Sequence, residues 1–185
     1  LLTISVNALA NILPINNQNT GQISDKFPTL FTPAGYVFAI WSVIYLLMLA
    51  YMVYQALPAQ RTNPRMRASG WPYVIGNAAN AVWIFMWHYE QFLVSIGLIL
   101  VLLVGLTVAY VRIAPARRSV SRGEWWTTHL MFSIYLGWVS VATVANIAVW
   151  LVSINYNGAP LGPELWTVVV LLVATGLGAF FLTRF

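Results

Sequence analysis

The chain contains no cysteine, which removes disulfides, thiolate catalysis and cysteine-held metal centres. Charge is almost as scarce: only 7% of the 185 residues are Asp, Glu, Lys or Arg, against about a quarter in soluble domains. Asp25, Glu90, Glu124 and Glu164 are the only acidic residues, and none falls mid-way along an apolar run. A proton-coupled transporter, which is expected to carry a carboxylate inside the membrane, is therefore disfavoured. Lys26 is the sole lysine and sits between apolar runs, so a retinal-type photoreceptor with its Schiff-base lysine inside the bundle is excluded. No Ser-His-Asp set, carboxylate pair or metal-spaced cluster can be assembled. The chain is accordingly read as a non-enzyme.

What remains is apolar. Hydrophobic residues make up 60% of the chain and mean hydropathy is +0.76. Long apolar runs alternate with short polar gaps, and the arginines occupy every second gap. Arg61, Arg65 and Arg67 fill one, Arg112, Arg117, Arg118 and Arg122 another, and Arg184 lies near the end. That segregation marks a polytopic all-α membrane protein with its basic loops on the cytoplasmic side. It also accounts for the net charge of +5 through anionic lipid as partner, without nucleic acid. A span needs roughly 20 apolar residues. Helices are expected over Leu1–Leu13 (truncated, and ended by Pro14), Ala34–Leu57, Trp71–His88, Phe92–Ile113, Glu124–Ile154 and Leu165–Leu182. The N-terminus then lies inside and the polar Pro14–Pro33 loop outside. Trp71, Trp125, Trp126 and Trp166 each stand at an expected helix start, as interfacial anchors do.

A lipid-facing surface needs only Leu, Val and Ile, so aromatic and polar side chains that share an arc are expected to face other helices. On the second helix Phe38, Trp41, Tyr45, Met48, Met52 and Gln55 fall within roughly 100°. On the third, Tyr73, Gly76, Asn77, Asn80, Trp83 and Trp87 fall within roughly 120°. The fifth carries two arcs, His129–Ser133–Ser140–Thr143 and Trp138–Ala142–Asn146. Gly97, Gly105, Gly176 and Gly178 suit close helix packing. Such stripes can be plain bundle seams, with Asn80 and Asn146 as interhelical hydrogen-bond partners worth about 1 kcal/mol each. Three helices pairing Trp or Tyr with Asn also describe a flat-walled pocket for a planar apolar ligand.

These stripes carry a resemblance. Pro33-Ala-Gly-Tyr36-Val-Phe38-Ala-Ile-Trp41-Ser-Val-Ile-Tyr45 resembles the Pro-x-x-Trp-x-Phe-x-x-x-Trp-x-x-x-Tyr signature of the translocator proteins, or tryptophan-rich sensory proteins, TspO. Asn80-Ala-Val-Trp83 with Trp87 is similar to the family's Asn-x-x-Trp segment, and Tyr135-Leu-Gly-Trp138…Ala142…Asn146 to its Pro-Tyr-Leu-x-Trp…Ala…Leu-Asn stretch. Tyr36 stands in place of a tryptophan, Ile134 of a proline and Ala145 of a leucine. The first loop lacks the family's Gly-Trp-Tyr segment, while Lys26-Phe-Pro28 is similar to its Lys-Pro element. The likeness covers residues 1–155, a five-helix bundle, and leaves 156–185 as an additional transmembrane helix.

The resemblance implies binding of a tetrapyrrole such as a porphyrin, or of a sterol-like lipid, in a pocket closed by the first loop. No cofactor is otherwise indicated. By position Trp138, Ala142 and Asn146 would form one wall, Asn80 and Trp83 the opposite one, and Tyr36, Phe38, Trp41 and Tyr45 the floor. Porphyrin degradation through the pocket tryptophans, reported for some members, is a minor alternative. The rival reading is a small structural subunit of a larger, pigment-containing membrane complex, with His88 or His129 offered to a metal. A homodimer is also open. The arginine bias suits a bacterial inner membrane.

Overall fold

In a computed structural model of the chain, the described residues are 1–30, 32–113, 120–156, 158, 160, 162, 164–169, 171, 172, 175 and 176. Arg117, Arg118, Arg184, Gly178 and the end of the expected sixth helix lie outside them. Among the described residues every regular element is helical. The elements are α1 (Leu2–Ile12), α2 (Thr20–Lys26), α3 (Ile40–Ala56), α4 (Pro64–His88), α5 (Phe92–Ile113), α6 (Arg122–Glu124) and α7 (Leu130–Ser153). Residues 164–169, 171, 172, 175 and 176 are helical as well. Three helical stretches, Gly35–Ala56, Phe92–Ile113 and Arg122–Ser153, are long and apolar enough to cross a bilayer.

The boundaries follow local chemistry. The second expected helix starts as a 3-10 turn over Gly35–Ala39 and stops at Leu57, the residue before Pro58, where the proline ring disfavours helical backbone. The third begins seven residues earlier than the Trp71 start expected from the apolar run. The Asn63 side chain accepts from the Arg65 N–H at 3.0 Å, and Pro64 fills the first turn, where its missing N–H costs nothing. Pro72 is thus inside the helix. It deprives the Ala68 carbonyl of its normal donor, and the Arg112 guanidinium takes that place at 3.0 Å. The fifth span starts with α6, whose Ser121 cap accepts from Glu124 N–H at 3.1 Å, and runs through a π-helical turn at Trp125–His129 into α7.

The first loop is more ordered than its polar composition implied. It contains α2, opened by a capping box in which Asn19 and Gln22 satisfy each other's backbone N–H groups at 2.9 and 2.8 Å. Thr20, Ile23 and Ser24 are buried beneath it.

The most extensive interface joins α4 to α5. At its closest point a Cβ placed on Gly105 would lie 2.6 Å from the Pro72 carbonyl and 3.3 Å from Gly76 Cα. Gly97 and Gly176 have open space instead, so of the glycines expected at seams only Gly105 is shown to serve one. α7 packs on α5 and α3, while α1 packs on α4, with Thr3 donating to the Asn77 carbonyl at 2.9 Å. Trp71, Trp125, Trp126 and Trp166 all point outward. Trp71 does so from the second turn of α4 and not from its start.

Candidate functional site

The stripes on α3, α4 and α7 converge. Trp41 is the centre of the cluster they form. Its ring stacks on Tyr45 at 5.7 Å, meets Tyr135 and Trp138 edge-on at 6.1 Å, and lies tilted against Trp83 at 6.3 Å. Trp83 stacks on Trp87 at 5.8 Å, and Phe38 meets Trp138 edge-on at 6.0 Å. Each such pair contributes about 0.5–1.5 kcal/mol beyond area burial, so the cluster is a rigid block. Ile44 and Tyr51, not Met52 and Gln55, complete the buried face of α3; Gln55 is exposed.

Polar side chains tie this block together. Trp83 Nε1 donates to Asn146 Oδ1 at 2.9 Å, and Asn146 Nδ2 donates to Ser95 Oγ at 2.9 Å, which joins α4, α7 and α5 at one point. Asn80 Nδ2 donates to the Tyr135 hydroxyl at 2.6 Å. Of the buried polar atoms without a partner among the described residues, two belong to this block, Asn80 Oδ1 and Trp138 Nε1. An unpaired buried donor is costly, and Trp138 is a wall of the cavity in which a ligand acceptor could relieve it.

That cavity is small. Thr20, Phe38, Trp41, Trp83, Trp138 and Asn146 are among the residues around it, yet it encloses about 20 Å³, room for about one water. The hollow expected between helices two, three and five is therefore nearly closed by its own rings. The larger space lies next to it. A cleft of about 600 Å³ runs between α1, α2 and the start of α3, from Ala8 and Asn11 across Gln22 and Asp25 to Ser42 and Tyr45. It exists because α1 packs chiefly on α4 and α3 chiefly on α7, leaving the two helices apart under α2. Phe38, Trp41 and Thr20 border both spaces.

Six of the nine expected site residues, Phe38, Trp41, Trp83, Trp138, Ala142 and Asn146, line the closed cavity, and Tyr45 lines the cleft. Asn80 is fully buried against Tyr135 and lines neither of these spaces. Tyr36 is 82% exposed. It stands two residues before Phe38, off the arc that carries Phe38, Trp41 and Tyr45, and lines neither space. Trp87, Thr20 and Ser24 line the cavity without having been nominated. Trp87 lay on the same arc as Trp83, which was signal enough; Thr20 and Ser24 come from α2, for which the pattern Asn19-x-x-Gln22 was the only sign.

The roof is held by the end of α4. His88 Nδ1 lies 3.0 Å from the Ile15 carbonyl and Nε2 lies 3.3 Å from Thr20 Oγ1. Trp87 Nε1 donates to the Thr20 carbonyl at 3.2 Å, Asn16 Nδ2 to the His88 carbonyl at 3.1 Å, and Lys26 pairs with Glu90 at 2.6 Å. His88 is thereby used as a structural staple. At the opposite end Glu124, its side chain 5% exposed, is held bidentately by Arg65, with His129 Nε2 4.0 Å away. Among the described residues no group of three or more His, Asp or Glu is placed to hold a metal ion.

The aromatic block, its cleft and the apolar spans fit a membrane ligand-binding protein. No curated protein and no solved structure is a significant match to the chain. The family model described as TSPO-like protein does match, over residues 1–185, and so includes the stretch after Asn155. With that match across its whole length, the chain belongs to the TSPO-like protein family and is an integral membrane protein.

Proposed function

We propose that this protein binds a planar or elongated apolar ligand, a tetrapyrrole or a sterol-like lipid, where the cleft beneath α2 meets the aromatic block. Its role is sensing or ligand handling, and not catalysis. The observation that supports this best is the shared border: Phe38 and Trp41 line both the 600 Å³ cleft and the closed cavity. The cleft is within the roughly 300–1,000 Å³ typical of small-molecule sites. A ligand lying in it has Trp41 and Tyr45 as an aromatic floor and the polar edge of α2 above. A swing of the Phe38 ring would extend the space to Trp83 and Asn146 and bring a ligand oxygen to the unpaired Trp138 Nε1. Arginine placement supports a bacterial inner membrane, with the Arg65–Arg112 end of the bundle cytoplasmic and α2 on the outer side.

The tightness of the aromatic block favours a second reading, a structural subunit whose rings simply fill the bundle. Titration of the detergent-purified protein with protoporphyrin, read by tryptophan fluorescence, separates the two. Saturable quenching of a free monomer or dimer, weakened by Trp138→Ala and unaffected by Trp125→Ala, supports the binding site. Equal losses in both variants, or no quenching together with obligate co-migration with other subunits, would leave the structural reading.

A further inference from the structure

The end of the bundle opposite α2 holds a second feature, independent of the ligand site. Arg61, Arg65, Arg67, Arg112 and Arg122 are all found there, and Glu124 is the one carboxylate among them. Arg65 occupies Glu124 with both of its hydrogen bonds. The other arginines find no acid among the described residues.

Three of them are drawn together by backbone contacts. Arg67 Nε donates to the Arg61 carbonyl at 3.2 Å, which folds the chain before α4 back over its first turn. Arg112 Nη1 donates to the Ala68 carbonyl freed by Pro72, at 3.0 Å, and that carbonyl belongs to the residue after Arg67. Arg61, Arg67 and Arg112 are all exposed, and the Nη atoms of Arg67 make no hydrogen bond among the described residues. The Arg67 and Arg112 guanidinium groups thus both lie at the start of α4, one on the Arg61 carbonyl and one on the Ala68 carbonyl, with several donors still open. Their planar forks match phosphate oxygens in pairs.

Directly below the patch the surface changes character. Trp71, 76% exposed, follows Arg67 by one helical turn on the same outward face, and Val74, Ile75 and Val82 continue that face towards the middle of α4. Cations, then an indole, then aliphatic side chains is the order in which a phospholipid presents phosphate, glycerol region and acyl chain.

We propose that Arg61, Arg67 and Arg112, with Trp71 beneath them, form a seat for one anionic phospholipid on the α4–α5 face. The phosphate sits among the guanidinium groups and an acyl chain lies along the exposed face of Trp71, Val74, Ile75 and Val82. The lipid supplies the counter-charge that this end of the protein lacks. It also shields the one contact that satisfies the Pro72 break, from Arg112 to Ala68.

The test uses the full chain in phosphatidylcholine nanodiscs, with pyrene-labelled phosphatidylglycerol or phosphatidylcholine as tracer and energy transfer from tryptophan as readout. The wild type should prefer the anionic tracer. The double variant Arg61→Gln/Arg67→Gln should lose that preference by roughly 30-fold, at about fivefold per guanidinium, while melting normally in pure phosphatidylcholine. Lys26→Gln, at the other end, should retain it. If the double variant does not fold, Arg61→Gln and Arg67→Gln alone, each about fivefold weaker, carry the test. An undiminished preference in these variants, or an equal loss in Lys26→Gln, overturns the seat. Displacement of the tracer by inorganic phosphate at concentrations too low to act by screening would assign the patch to a free anion and overturn the lipid.

Discussion

Phe38→Ala tests whether the ring that separates the cleft from the closed cavity is a plug or a wall. The Phe38 ring meets Trp138 edge-on at 6.0 Å and 83°, with the 600 Å³ cleft on one side and the 20 Å³ cavity on the other. A ligand that reaches Trp138 has to part this pair, at about 0.5–1.5 kcal/mol. That cost divides the intrinsic affinity by the fraction of molecules already open. Removing the ring removes the cost, so Phe38→Ala should bind protoporphyrin roughly two- to tenfold more tightly than wild type. The gain should appear mainly in the association rate, because opening precedes entry. The variant loses stability, by less than the 3–5 kcal/mol typical of a fully buried Phe→Ala change, since Phe38 is only half-buried. Equilibrium and stopped-flow quenching on the folded variant provide both numbers. Binding weakened as strongly as in Trp138→Ala would make Phe38 part of the wall, and the gating argument would fail.

Two further substitutions test the framework that holds the site. Gly105→Ala sets a Cβ 2.6 Å from the Pro72 carbonyl, a backbone atom that cannot rotate away; it should cost about 1–3 kcal/mol. Gly97→Ala on the same helix meets nothing within 4 Å and should be neutral or stabilising by up to about 1 kcal/mol. Equal effects on unfolding in mixed detergent and dodecyl sulfate would refute the packing account. Arg65→Ala strands the buried Glu124 carboxylate and should cost about 3–5 kcal/mol, much of it regained by adding Glu124→Gln. If Arg65→Ala is no worse than the exposed Arg67→Ala in the same assay, the ion pair is not what orders this end.

Much of the fold is legible in the chain because lipid permits so few solutions. Arginine in alternate gaps and apolar runs of span length located α3, α5 and the α6–α7 stretch within a few residues. The failures occurred where local chemistry outweighed hydropathy. α4 begins at Pro64 because Asn63 caps it and Pro64 suits its first turn, although Arg65 and Arg67 make that turn polar. Trp71-Pro72 reads as a helix start, yet the proline is tolerated inside α4 because a guanidinium from α5 replaces the lost donor. No pattern within one helix reveals a repair made by another. Likewise α2 is short and polar, and its order comes from the capping box and from contacts with Trp87 and His88 more than sixty residues away.

The site shows the same division more sharply. Helical periodicity specifies which way a side chain faces, and it brought Trp41, Trp83, Trp138 and Asn146 to one place. Tyr36, two residues before Phe38, stands off the arc of Phe38, Trp41 and Tyr45; only the family resemblance offers it, and it is exposed. Periodicity cannot specify clearance. Whether facing rings enclose a void depends on how far apart the helix axes stand, which is set by small residues elsewhere, such as the Gly76–Gly105 contact, and by which helix each neighbour prefers. Here α3 is drawn to α7 and α1 to α4, so the aromatic block closes and the space opens one layer away, beneath α2. An aromatic stripe therefore predicts that rings will meet; it takes the packing of the helices behind them to decide whether a ligand fits between.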